Sequence, residues 1–310
     1  MKFTLFLLAG MLGSFVLQAQ SLYFNTFGDR KNKPIIFLHG GPGSNSGSFE
    51  LTTAQKLADK GYYVILYDRR GEGRSIDIPA KYTFQQTFND LNNIYKKFGL
   101  KKATLIGYSF GGLLGILYME KYSQQVSSLV LISSLCSLQD TYNNILEKSE
   151  RIFEAKNDTA NLRKLKAVAA MNRSSIDFRA NCFAFATLNG FFDTPHPNEL
   201  SVKLNQMITN DTVLMRMKAD TSNPASVGFW RNEKYTMLNI YPKIKTIQQK
   251  HVNVYAIYGK DDGLFSEDQV NKVRAELSSD AHLKYFDNCS HPAFIDQQEL
   301  FLEAVSNWIK

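Results

Sequence analysis

Cysteine is scarce: three residues in 310, Cys136, Cys182 and Cys289. An odd number at wide spacing is no disulfide framework, and each reads as a small buried residue. Charge of one sign is not in large excess either. The formal net charge is +7, with the basic residues scattered; Lys101–Lys102 and the lysines at 243, 245 and 250 come nearest to clusters. No basic stripe or base-stacking motif accompanies them, which argues against a nucleic-acid partner. Past residue 21 there is no long apolar run, so no stable membrane insertion of the mature chain is expected. There is no internal repeat and no low-complexity tract. No spaced cluster of His, Cys and acids suggests a metal site, and no metal or organic cofactor is expected.

What remains is the composition of an ordinary globular protein, 44% apolar and 21% charged. The length suffices for one large core, or for a core with an insertion. The N-terminus is distinct: Lys2, the apolar stretch FTLFLLAGMLGSFVL, then a small residue at Ala19. One positive charge, an apolar stretch too short to span a bilayer and a small residue make a secretory signal over residues 1–20. Cleavage near Ala19 or Gln20 implies a soluble protein exported to the periplasm or the extracellular space. No cysteine follows the apolar stretch to carry a lipid.

Beyond the signal, apolar β-rich runs alternate with helical patterns. LYFNTF, PIIFLH (34–39), YYVILYD (62–68), ATLIGYS and SSLVLISS read as strands. Between them lie SFELTTAQKLADKG and TFQQTFNDLNNIYKKFG, the second with Phe84, Phe88, Leu91, Ile94, Tyr95 and Phe98 on one helical face. Continuous apolar strands separated by amphipathic helices predict a mostly parallel central sheet with helices on both faces. The alternation lapses over 137–245, which is helix-like and aromatic-rich. It returns with VNVYAIYG (252–259), EDQVNKVRAEL, HLKYF and a final helix from about Phe294 to Lys310. The expected organisation is therefore a core over 21–136, a helical insertion over 137–245 and a second core segment over 246–310.

The chemistry centres on Gly107-Tyr108-Ser109-Phe110-Gly111, a G-x-S-x-G between a strand and a helix. A serine on so sharp a turn projects above the sheet, and close backbone approach on either side demands glycine. The helix that starts there turns its free N–H groups towards a developing anion. A hydroxyl nucleophile needs a base, and five histidines are available. His39 ends a strand inside HGGPG, His196 sits between prolines, and His251 and His282 precede strands. His291 follows the last strand in DNCSHPAF, at the sheet edge where ligands meet such folds. It also satisfies the order Ser, acid, His found with this turn. For the acid, YAIYGKDDGLF offers Asp261 and Asp262, and spacing does not choose between them. HGGPG (39–43) suits an oxyanion site, with a donor from Gly41 (Gly40 next) and a second from Phe110.

These motifs together resemble the α/β-hydrolase superfamily over essentially the whole mature chain, which makes the helical insertion a lid. HGGPG with DRRGEGRS (68–75) resembles more particularly the proline iminopeptidase branch, family S33. There the acid stands in a G-x-x-D pattern, which the resemblance places at Asp262. DRRGEGRS is expected to be structural, with Asp68, Arg70 and Arg74 bracing a glycine turn. Two departures bear on the substrate and leave the chemistry untouched. This chain has GYSFG where the branch has GGSWG, and only FWRNEKYTM (229–237) approaches the lid segment W-E-x-H-Y-F. Lid carboxylates that grip the substrate's amine are implied by the resemblance; the candidates are Glu199, Glu233 and Asp193, with Trp230 nearby. The expected activity is that of a serine hydrolase acting through Ser109, His291 and Asp262 on a small-molecule or short-peptide substrate. It would be an aminopeptidase removing N-terminal residues, proline among them. The alternatives are a carboxylesterase for small esters and, from another class, a non-catalytic ligand-binding protein that kept the fold.

Overall fold

The computed structural model describes residues 21–219 and 224–310; residues 1–20, where the export signal is expected, lie outside the described residues. Seven strands form one sheet: β1 (Phe24–Phe27), β2 (Lys33–Leu38), β3 (Tyr62–Tyr67), β4 (Ala103–Tyr108), β5 (Val126–Ile132), β6 (Asn253–Gly259) and β7 (Leu283–Phe286). Their spatial order is β1-β3-β2-β4-β5-β6-β7. Only β1 runs antiparallel, along β3; the other pairings are parallel. The mostly parallel sheet read from the alternation of apolar strands and amphipathic helices is thus present.

Helices cover both faces. A π-helical stretch, Glu50–Ala54, joins α1 (Gly47–Phe49) to α2 (Gln55–Asp59), after which come α3 (Phe84–Phe98) and α4 (Phe110–Tyr122). Between β5 and β6 the chain forms α5 (Leu138–Ala155), α6 (Thr159–Ala169), α7 (Ile176–Leu188), α8 (Glu199–Asn210), α9 (Thr212–Ala219), α10 (Pro224–Glu233) and α11 (Tyr241–Gln248). Of these, α11 straddles residue 245 and packs on α4 and on α12 (Glu267–Glu276). The closing helix is two pieces, α13 (Ala293–Asp296) and α14 (Gln298–Trp308). They part at Gln297, whose φ of −132° and ψ of 56° are not helical, while its side-chain Nε2 donates to the Asp287 and Asn288 carbonyls.

The sheet is buried on both faces, and its side chains alternate between two apolar clusters. Tyr63, Ile65 and Tyr67 of β3 enter one, with Ile36 and Leu38 of β2 and Ala256 and Tyr258 of β6. Tyr62, Val64 and Leu66 enter the other, with Ile35, Phe37 and Ile257. That two-sided burial is why these strands read as unbroken apolar runs. Helix α3 begins with Thr83, whose side chain accepts from the Gln86 amide, and ends at Gly99 in the left-handed region.

The tightest packing lies where β4 passes into α4. A Cβ on Gly111 would stand 1.9 Å from the Leu38 carbonyl oxygen, and one on Gly107 would stand 2.6 Å from the Gly112 Cα. Backbone meets backbone at both places, so neither neighbour can step aside. At Gly115, further along α4, the nearest atom is the flexible Leu129 Cδ1 at 2.9 Å. Gly111→Ala is therefore expected to destabilise the protein by roughly 3 kcal/mol or more, as backbone overpacking does. Gly115→Ala should fall within about 1 kcal/mol of the parent, its clash offset by helix propensity. Urea unfolding midpoints of the two variants check the ranking.

Candidate active site

The turn after β4 holds Ser109 at φ 53° and ψ −117°, as the N-cap of α4. A residue with a side chain persists there only when its surroundings fix it. The Ser109 amide donates to Ile132 O at the end of β5, 2.8 Å away, which pins the turn to the sheet edge. The serine hydroxyl makes no capping bond to the helix below it. Ser109 is buried, with 7% of its surface exposed.

His291 stands on the loop between β7 and α13, with its Nδ1 2.7 Å from Asp262 Oδ2. The other Asp262 oxygen accepts the Leu264 amide at 3.0 Å. A carboxylate accepting on both oxygens places the ring proton on Nδ1 and leaves the Nε2 lone pair to take another. The imidazole lies 5.1 Å, centroid to centroid, from the ring of Tyr108, the residue just before the serine. Phe192 at 5.6 Å and Phe265 at 6.1 Å complete its surroundings. The structure also separates the two candidate acids. Asp262 is buried against His291, whereas the Asp261 carboxylate accepts the Thr194 hydroxyl at 2.6 Å.

The loop after β2 closes on the same turn. A Cβ on Gly40 would stand 3.4 Å from Ser109 Cβ, so HGGPG runs beside the serine. Phe110 opens α4, where the first amides of a helix have no intrahelical acceptor. Among the described residues, neither the Gly41 nor the Phe110 amide donates to another group. Two unspent donors, one in the loop beside the serine and one in the residue after it, suit an oxyanion.

Arg69 holds that loop, and the sequence reading passed over it. Its guanidinium donates to the carbonyls of His39 and Gly40 and pairs with Glu72 through Nε at 2.8 Å and Nη2 at 2.9 Å. Glu72 in turn accepts the Gly43 amide at 2.5 Å. The buried His39 ring donates from Nδ1 to Gly40 O at 3.0 Å and accepts the Arg69 amide on Nε2 at 3.0 Å. Accepting on Nε2 while Nδ1 donates requires the neutral ring. Burial first, and the Arg69 charge second, hold its pKa well below the usual histidine value. Asp68 braces the adjoining turn by accepting from Ser46 and Arg74. Arg70 faces away from the loop, paired with Asp90 of α3.

A second carboxylate absent from the sequence reading is Asp296, which is buried. Its Oδ2 accepts the Ser290 amide at 2.7 Å and the Ser290 hydroxyl at 2.5 Å, one residue before His291. Its Oδ1 accepts the Ser201 hydroxyl of α8 at 3.2 Å. It thus joins the histidine loop to the helices that follow β5. The signal for it was faint: an acid five residues beyond a histidine, in a helix of one turn.

Two of the candidate lid residues have protein partners. Glu233 caps α3, accepting the Phe84 amide at 2.7 Å. Trp230 donates its indole N–H to Ser174 O at 2.6 Å. Glu199 opens α8 on a surface cleft with Lys203 and Gln297, and Asp193 is exposed. Cys136, Cys182 and Cys289 are free and buried. Among the described residues no group of His, Cys and acids is gathered closely enough to hold a metal ion, and no helix is long and apolar enough to cross a membrane.

The profile of a family described as alpha/beta hydrolase fold matches residues 33–298. A proline iminopeptidase from Lactobacillus helveticus is 24% identical over 305 residues, covering 96% of this chain and 97% of its own. Among solved structures, a proline iminopeptidase from Mycobacterium smegmatis superposes with a TM-score of 0.62 at 16% identity, over 93% of this chain and 94% of its own. A bromoperoxidase from Bacillus anthracis superposes with a TM-score of 0.64 at 18% identity, over 93% and 95%. Such structural likeness speaks for the fold alone.

The neutral His39 has a consequence for stability. The unfolded chain binds a proton near pH 6.5 that the folded chain refuses, so acid favours unfolding. Stability contributed by this ring is present above about pH 6.5 and falls by up to about 1.4 kcal/mol per pH unit below it. Urea unfolding between pH 7 and pH 5 should show this slope, and His39→Gln should flatten it.

Proposed function

The chain belongs to the α/β-hydrolase fold family, and from that premise we propose a serine hydrolase working through an acyl-enzyme. Its substrate in this reading is a short peptide from which it removes the N-terminal residue, proline included. The observation that carries the chemistry is the buried 2.7 Å contact between Asp262 and His291, set against the turn that bears Ser109. Near-full-length similarity to a relative named proline iminopeptidase supports the choice of substrate.

In this reading Ser109 Oγ attacks the scissile carbonyl carbon as its proton passes to His291 Nε2. The carbonyl oxygen becomes an oxyanion held by the Gly41 and Phe110 amides, each such donor being worth about a hundred- to a thousand-fold in rate. The C–N bond then breaks, and the imidazolium returns its proton to the leaving amine. Water, deprotonated by the same nitrogen, attacks the ester carbonyl and releases the acid and the free serine. Asp262 keeps the tautomer and steadies the imidazolium without taking the proton. The helical segment over 137–245 serves as the lid of the site, and residues 1–20 as the export signal.

Ser109→Ala should lower kcat by about four orders of magnitude or more, with His291→Ala comparably severe, because members of such a set act as a unit. Asp262→Asn should cost far more than Asp261→Asn; the reverse ranking would reassign the acid. A fluorophosphonate probe should label the wild type and not Ser109→Ala. Absence of labelling in both would favour the non-catalytic reading. Turnover of proline and alanine arylamides against short nitrophenyl esters decides the substrate. Rapid ester cleavage with inert amides would make the enzyme an esterase.

A further inference from the structure

Among the described residues, a cation stands unpaired in the helical layer. Arg179 of α7 is partly buried, yet among the described residues its guanidinium meets no carboxylate and no carbonyl. Its buried Nε lacks any acceptor. Aromatic faces flank it instead: its Cζ lies 4.8 Å from the Phe183 centroid and 5.8 Å from that of Tyr235. Both rings lead back to the candidate machinery. Phe183 stacks at 6.5 Å on Phe192, whose ring meets His291. Tyr235 lies 5.4 Å from Phe110, the residue that supplies one oxyanion amide.

Two phenols share this place. Tyr142 and Tyr235 are fully buried, their hydroxyls have no hydrogen-bond partner, and the Arg179 charge acts on both. The Ser226 hydroxyl is near Tyr235 but out of bonding geometry; it donates to the Pro42 carbonyl of the HGGPG loop. Burial raises both phenols above their ordinary pKa, so both stay O–H donors. A guanidinium and two phenols offer hydrogens and carry a positive charge. Leaving the two hydroxyls and the Arg179 Nε buried and unmatched is costly, and the ligand that matches all three groups is an anion with paired acceptor oxygens.

We propose that Arg179, with Tyr142 and Tyr235, binds a free carboxylate of the substrate. This rests on the hydrolase reading above and narrows it. The enzyme favours acyl compounds carrying a carboxylate near the scissile carbonyl over their neutral counterparts. The carboxylate has two possible sources: the C-terminus of a di- or tripeptide, or an acid at the far end of the acyl chain.

The test uses matched pairs and reads ratios. One arm compares Pro-Ala and Ala-Ala with their C-terminal amides; the other compares mono-nitrophenyl glutarate with nitrophenyl valerate. In the arm holding the true source, kcat/KM should favour the acid by about tenfold to a hundredfold, the range expected of a charge-assisted hydrogen bond. Arg179→Gln should bring that ratio close to one, Arg179→Glu should invert it, and Arg179→Lys should keep part of it. Ratios near one in both wild-type arms, or a ratio unmoved in Arg179→Gln, would overturn the assignment. A neutral fluorophosphonate, applied to the wild type and each variant, separates the two levels. Labelling with no carboxylate preference refutes the anion site alone, whereas absence of labelling in the wild type removes the hydrolase reading beneath it.

Discussion

The Arg69–Glu72 pair is buried, and burying two charges is not in itself a source of stability. What it provides is position. Arg69 hands its donors to the carbonyls of His39 and Gly40, while Glu72 takes the amide of Gly43. Both ends of a glycine loop are thereby tied to one rigid fork, leaving the amide between them unspent. His39 completes the arrangement by staying neutral, since its two bonds need one donor and one acceptor nitrogen. Remove the fork, and five residues of HGGPG lose the constraint that keeps them against the serine turn.

Much of the frame was legible in the sequence, because it depends on local rules. Strands buried on both faces show as apolar runs, and G-x-S-x-G between strand and helix marks a turn where only glycine fits. The loop geometry behind those glycines appears as the 1.9 Å that a Cβ on Gly111 would leave. The rest depends on meetings between distant residues. Asp261 and Asp262 are neighbours of the same type, and only the fold shows one facing the imidazole while the other binds Thr194. DRRGEGRS was read as structural, yet which of its arginines grips the loop could not be seen from composition. Arg70 turns to α3 and Arg69 to HGGPG.

The helical layer shows the same limit more strongly. Its acids, picked out by analogy with amine-binding relatives, serve as a helix cap at Glu233 and as surface residues at Glu199 and Asp193. The unpartnered polar groups of this layer that adjoin one another are Arg179, Tyr142 and Tyr235. They come from three separate segments, with no spacing to announce them. Aromatic residues in a helical stretch look like core, and most here are core.

Asp296 has a consequence for access. Ser109 and His291 are only 7% and 4% exposed in this structure. The helical layer is moored to the imidazole's own loop: Ser201 of α8 bonds the Asp296 carboxylate, the Ser290 hydroxyl bonds the same carboxylate, and that hydroxyl also reaches the Phe192 carbonyl. Under the proposed function, where this layer is the lid and His291 the base, lid and base hang from one hinge pin: opening the lid means either breaking those bonds or dragging the imidazole off its mark, so admission and readiness fall at different moments of a cycle.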